Sequence, residues 1–248
     1  MSINSVNKES WNLQAKRYFE NSNFSFDNVD YGDVRCLTEK DLKLLGDVKG
    51  KRILELGCGG ANCGIALSKQ GAAVICTDIS EKQIEIAKNN AQRENVGIKF
   101  IVSAMEDVNF TDEKFDIVIS ICAMMYVKDV SKVFSNVSGM LNKNGIFVFS
   151  LNDPTFYSVA SKYLWNEKDG QQSYFYTGEE RWKWEDDDDF EFITYRRTIG
   201  DYINKLSDCK MLVSKLHQLK IEHDVINDDE ELLETEYPRI MVFKSVKI

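Results

Sequence analysis

The sequence predicts an α/β fold: a doubly wound, mostly parallel sheet with helices on both faces. Three observations carry this. Short apolar runs of strand length recur at 51–56, 73–77, 98–102, 115–121 and 146–151. Amphipathic stretches of helical spacing, at 61–70, 81–94 and 129–141, lie among them. The first apolar run ends in a glycine cluster, Gly57-Cys58-Gly59-Gly60, that opens the first of those helices. Strands separated by helices build a parallel sheet covered on both sides. With 248 residues, 43% of them hydrophobic, the chain can bury one large core and carry insertions.

Residues 1–47 read as an N-terminal helical cap. Trp11, Tyr18 and Phe19 fall at helical spacing, and Phe24, Phe26 and Tyr31 follow. Thr38-Glu39-Lys40-Asp41 predicts a second helix start, running to Leu45 with Gly46 as its stop. The core follows over 48–152. Its first helix is closed by Gly71, and Ser80-Glu81-Lys82-Gln83 predicts a capping box for the next. Asn144-Gly145 predicts a turn into the fifth strand. Residues 153–197 break the rhythm and read as an insertion of loops and helices. They are rich in aromatics (Trp165, Tyr174, Phe175, Tyr176, Trp182, Trp184), followed by the acidic run Glu185 to Asp189, read as a solvated loop. Over 198–248, Thr198 and Asp201 cap a last helix, and residues 222–236 read as an acidic connection.

The glycine turn carries the chemistry. Gly57 and Gly59 tolerate positive φ and leave bare backbone against which a ligand can lie. A helix N-terminus aims free N–H groups into the same space. Glu55, at the strand end, would repel a phosphate and welcome an ammonium. The turn therefore suits a nucleoside with a cationic amino-acid tail better than a pyrophosphate. Asp78 ends the second strand about 20 residues on, where doubly wound folds place a carboxylate on ribose hydroxyls.

These residues resemble a known family. Glu55-Leu56-Gly57-Cys58-Gly59-Gly60 with Asp78-Ile79-Ser80 is similar to the donor site of the Rossmann-like, class I S-adenosylmethionine-dependent methyltransferases. Phe115 to Ser120 and Leu141 to Ser150 resemble that family's fourth strand and its passage into the fifth. Gly60-Ala61-Asn62-Cys63 and Tyr195-Arg196-Arg197-Thr198 are similar to a bacterial group acting on small molecules. The resemblance covers residues 10–248. It implies a seven-stranded sheet finished by an antiparallel hairpin from Met211 to Leu219 and Tyr237 to Val246. It also implies an N-terminal segment folded over the cofactor S-adenosyl-L-methionine, with S-adenosyl-L-homocysteine as product.

Carried over residue by residue, the cofactor set is Glu55, Gly57, Gly59, Asp78, Ile79 against the adenine, Met105 through its N–H, Glu106 and Ile121. The catalytic candidates are Tyr126, Asp153 and Tyr195, with Asn152 and Arg196 as polar neighbours and Arg197 as a carboxylate partner. Three positions depart from the pattern: Ala61 replaces a third glycine, Ala104 an adenine-binding acid, and Met125 a histidine. The reaction implied is in-line displacement of the sulfonium methyl by N or O of a small-molecule acceptor. The alternatives are a non-catalytic donor-binding relative and a protein methyltransferase. A nicotinamide-dependent dehydrogenase is disfavoured, because no dinucleotide-type Gly-x-x-Gly follows the turn.

Composition narrows the partners. A net charge of −9 and a pI near 4.9 argue against nucleic acid. No signal pattern and no bilayer-length apolar run is read, so the expected compartment is the cytoplasm and no membrane partner is expected. The six cysteines form no Cys-x-x-Cys pair and there are only two histidines, so no metal is expected. The sequence leaves the oligomeric state open.

Overall fold

The computed structural model describes residues 3–20, 25–163, 173–183, 190–223 and 225–248. Phe24, Trp165, Trp184 and the run Glu185 to Asp189 lie outside the described residues. In chain order the elements are α1 (Ile3–Glu20), α2 (Glu39–Leu42), β1 (Arg52–Leu56), α3 (Asn62–Lys69), β2 (Ala73–Asp78), α4 (Glu81–Arg93), β3 (Lys99–Val102), β4 (Phe115–Ser120), α5 (Val130–Met140) and β5 (Leu141–Asn152). Then come α6 (Pro154–Tyr163), β6 (Gly178–Trp182), β7 (Phe192–Arg196), α7 (Ile199–Asp208), β8 (Met211–Leu219), α8 (Asp229–Glu236) and β9 (Ile240–Lys247).

Seven strands form one sheet in the order β3-β2-β1-β4-β5-β9-β8. The first five are parallel, β9 runs antiparallel to β5, and β8 pairs antiparallel with β9. The period-two alternation of buried strands feeds two apolar layers. Ile53, Ile117, Ile119 and Val148 pack into one layer, and Leu54, Leu56, Val118, Phe147 and Phe149 into the other. The strand order reverses between β1 and β4, and the carboxyl ends of those two strands open the crevice where such sheets hold ligands.

Several expectations change in the structure. The helix expected to reach Leu45 stops after Leu42. Lys43 turns left-handed (φ 51°), and the Glu39 carboxylate takes the N–H groups of Leu44 and Leu45. The Asn144-Gly145 turn is a bulge inside β5: pairing with β4 jumps from Phe115–Leu141 to Ile117–Ile146, with Asn144 at φ 63°. The acidic connection contains α8, whose first N–H groups are capped by Asp228 and favoured by three acids in the first turn. The insertion contains not only a helix, α6, but a two-stranded antiparallel sheet, β6 with β7.

The N-terminal helix α1 ties the two sides of the crevice together. Asn7 donates to Ile193 O and accepts from Ile193 N, at 2.9 and 2.8 Å, and Ser10 Oγ donates to Glu191 O. Its other flank reaches α4, where Asn12 Oδ1 accepts from Ser80 Oγ and Lys82 N, and Lys8 pairs with Glu81.

Candidate functional site

A cleft of about 1200 Å³, counting its open mouth, lies over the carboxyl ends of β1, β2 and β4. Its floor is the glycine turn. Gly57 and Gly59 both have positive φ (68° and 52°), and a Cβ on Gly57 would stand 2.6 Å from Ala123 Cβ. Glycine is therefore required there by conformation and by space. Ala61, at the third-glycine position, adopts φ 61°, so the backbone keeps the left-handed shape despite the side chain, a strain of about 1 kcal/mol. The Cys58 N–H donates to Thr77 O and pins the turn to β2.

Asp78 is 8% exposed and lines the cleft. Its Oδ2 accepts from Gly59 N and its Oδ1 from Ser80 N, both at 2.9 Å. Burial pushes its pKa up, while these N–H groups oppose the rise. A carboxylate has about four acceptor positions, so capacity remains for a hydroxyl beside these N–H groups and that of Ile79. Ile79, Met105, Glu106 and Ile121 also line the cleft, the middle pair on a single turn of 3-10 helix after β3. Burial raises the Glu106 carboxyl.

Glu55 differs from the expectation. It borders the cleft, but Oε2 is turned behind the loop, accepting from Gly64 N at 2.9 Å and facing the Cys76 thiol at 3.3 Å. It caps the N-terminus of α3 instead of presenting that oxygen to a ligand. Burial pushes its pKa up to about 7.

Of the catalytic candidates, Tyr126 lines the cleft, edge-on to Trp11 at 5.5 Å, and burial holds its phenol well above the ordinary range. Asp153 does not line it. Asp153 is fully buried, accepts from Thr155 N and Gln218 Nε2 at 2.8 and 2.7 Å, and starts α6 as a turn-forming residue. Tyr195 faces a separate, smaller hollow shared with Asn152, Arg196 and Arg197, and its hydroxyl points to Glu179 at 3.4 Å. Arg196 pairs with Glu180, whereas Arg197 donates to the carbonyls of Val127 and Lys128 rather than to a carboxylate.

The cleft also includes residues outside the donor-site motifs. Trp11 and Tyr18 form a wall, as an N-terminal cover requires. Gln83 also lines the cleft. Its N–H is capped by Ser80 Oγ, but its side chain does not complete the box: Oε1 is buried with no hydrogen-bond partner among the described residues. Asp30 and Asp33 enter from the loop before α2. Among the described residues the lining carries five carboxylates (Asp30, Asp33, Glu55, Asp78 and Glu106) and no lysine, arginine or histidine. A cleft of this charge suits a cationic ligand and repels free phosphates.

Comparison with known proteins agrees with this geometry. Over 124 residues, 48% of this chain, the sequence is 30% identical to a ubiquinone biosynthesis O-methyltransferase of Coxiella burnetii. The matched stretch is 53% of that protein, so the chain spans about half the length of the curated relatives it matches. An S-adenosylmethionine-dependent methyltransferase from Mesorhizobium loti superposes with a TM-score of 0.69 at 23% identity, covering 83% of this chain and 95% of that one. A magnesium protoporphyrin IX methyltransferase from Synechocystis, solved with S-adenosylhomocysteine bound, superposes with a TM-score of 0.63 at 14% identity over both full lengths. These two likenesses establish the Rossmann-like methyltransferase fold. The family description "Methyltransferase domain" matches residues 47–188, more than half of the sequence, and the chain belongs to that methyltransferase family.

Proposed function

We propose that this protein is an S-adenosylmethionine-dependent methyltransferase that alkylates a nitrogen or oxygen of a small-molecule acceptor. The observation that carries the proposal is the pairing of a side-chain-free glycine floor with a lining whose charged residues, among those described, are all carboxylates. The residues present fit the donor: Gly57 and Gly59 offer bare backbone, Asp78 keeps free acceptor capacity for hydroxyls, and Gln83 Oε1 lacks a partner among the described residues. The family membership and the O-methyltransferase relative support the same reading, the latter over half its length.

When bound, S-adenosylmethionine supplies a sulfonium-activated methyl group. The protein must then position an acceptor in line and exclude water. Trp11, Tyr18 and Tyr126 wall the cleft with rings, and α1 is held over it by Asn7 and Asn12. Proton removal matters only for a hydroxyl or a protonated amine. Burial keeps the Tyr126 phenol neutral and pushes the Cys122 thiol up to about 11, and neither histidine lines the cleft. The site therefore favours acceptors that reach it already nucleophilic, such as a free amine or an acidic phenol. Incubation with methyl-labelled donor and a panel of amines and phenols tests this. Label in a small product is the expected result. Label confined to protein, from an enzyme that binds donor, would shift the reading to protein methylation.

A further inference from the structure

Asp30 sits in the loop between α1 and α2, outside every motif that identifies the donor site. It is 7% exposed and lines the cleft. One carboxylate oxygen takes the Ser25 N–H, whereas Oδ2 is buried with no hydrogen-bond partner among the described residues. An unpaired buried carboxylate oxygen costs free energy unless a ligand completes it. Burial accordingly pushes the Asp30 pKa up, and neighbouring Asp33 adds to the rise while Lys40 opposes it. Asp33 is less suited to the role, since its charge is already paired with the Arg35 guanidinium.

The position of the loop narrows the ligand. Gly32 packs against Cys122 and Ile240, and Cys122 Sγ lies 3.8 Å from Tyr31 O. The loop therefore rests on the β4 end of the crevice, across β1 from Asp78 at the end of β2. A nucleoside anchored at Asp78 would present its tail, or its reaction partner, toward Asp30. The rings of Trp11, Tyr18 and Tyr126 share the cleft, and carboxylate with aromatic faces is the chemistry that receives ammonium groups.

We propose that Asp30 is the ammonium-binding residue of the cleft, receiving a cationic amine carried either by the donor's amino-acid tail or by the acceptor at a point away from its methylated atom. This rests on the donor reading above. The test is calorimetric titration of wild type and Asp30→Asn with S-adenosylhomocysteine, with its deaminated analogue, and with tyramine on protein saturated with S-adenosylhomocysteine. The isosteric change preserves the fold, and an unliganded melt verifies it.

If the donor tail is the source, Asp30→Asn weakens S-adenosylhomocysteine by about tenfold or more while the deaminated analogue stays within about twofold. If the acceptor is the source, S-adenosylhomocysteine is unaffected and tyramine binding is lost. Equal losses for the two nucleosides, or no change for any of the three ligands, would overturn the proposal. Failure of wild type to bind S-adenosylhomocysteine at all is a different result: it removes the donor reading and this inference with it.

Discussion

The two ends of the cleft differ in how far apart in sequence their parts lie. At the β2 end, Gly59 and Asp78 bond across 19 residues, and Glu55 and Gly64 across 9. At the β4 end the cover is held by Asn7 on Ile193 and Ser10 on Glu191, separations of 186 and 181 residues. The first end is a strand-turn-helix motif whose shape follows from local backbone chemistry. The second exists only when three distant segments have docked. Damage at the donor end should therefore abolish binding, and damage at the acceptor end should loosen the enclosure first.

The largest effect is expected at Gly57. Valine there would place carbon 2.6 Å from Ala123 Cβ and 2.8 Å from Met105 Cε, at a φ of 68° that branched residues avoid. Donor affinity should fall by about a hundredfold or more, with a loss of stability, read by calorimetry and melting. Near-normal affinity would mean that the ligand does not lie on this turn.

Asn7→Ala addresses the other end. It leaves the N–H and C=O of Ile193 unpaired in a buried place, a cost of about 2–3 kcal/mol by urea unfolding. Methyl transfer should drop further than donor affinity does, since Trp11 and its helix lose their anchor on β7. Equal losses in both would mean that α1 serves the donor end alone.

Glu55 gives a pH signature. Its folded pKa, about 7, is above the ordinary 4.5, so the folded state holds the proton more tightly. The stability this contributes is complete below about pH 4.5 and disappears as pH rises through 7, a change of about 3 kcal/mol at most. Glu55→Gln removes the titration. Its melting temperature should gain on wild type between about pH 5 and pH 8, and a pH-independent difference would contradict the buried geometry.

The smallest effects are expected where the sequence pointed to catalysis but the side chains face elsewhere. Tyr195→Phe loses one long contact with Glu179 and should change turnover by no more than about twofold. Asp153→Asn should cost stability, through Thr155 and Gln218, more than rate. A collapse of kcat in either variant with stability intact would restore it as a catalytic candidate.

What could be read from the sequence follows the same division. Gly57, Gly59 and Asp78 were legible because φ preference and strand-end position act over a few residues. Asp153 reads as a catalytic candidate because it follows a strand end at the right edge of the sheet, yet its carboxylate folds back onto Thr155 and Gln218, contacts that the strand pattern does not encode. Strand β6, Gly-Glu-Glu-Arg-Trp, has no apolar alternation to announce it, and without it neither the hairpin nor the facing of Tyr195 can be placed. Asp30 carries no periodic signal at all. Its burial is created by the packing of Gly32 on Cys122, a contact 90 residues away in sequence that no local pattern encodes.

Calorimetric titration with S-adenosylhomocysteine, wild type beside Asp78→Ala, tests the donor site most directly. The alanine variant loses the acceptor for Gly59 N and Ser80 N together with the free hydroxyl-binding capacity. Micromolar-range binding by wild type, weakened by about a hundredfold in the variant, is the predicted result. A well-folded wild type that takes up no S-adenosylhomocysteine, or a variant that binds as tightly as wild type, would contradict it.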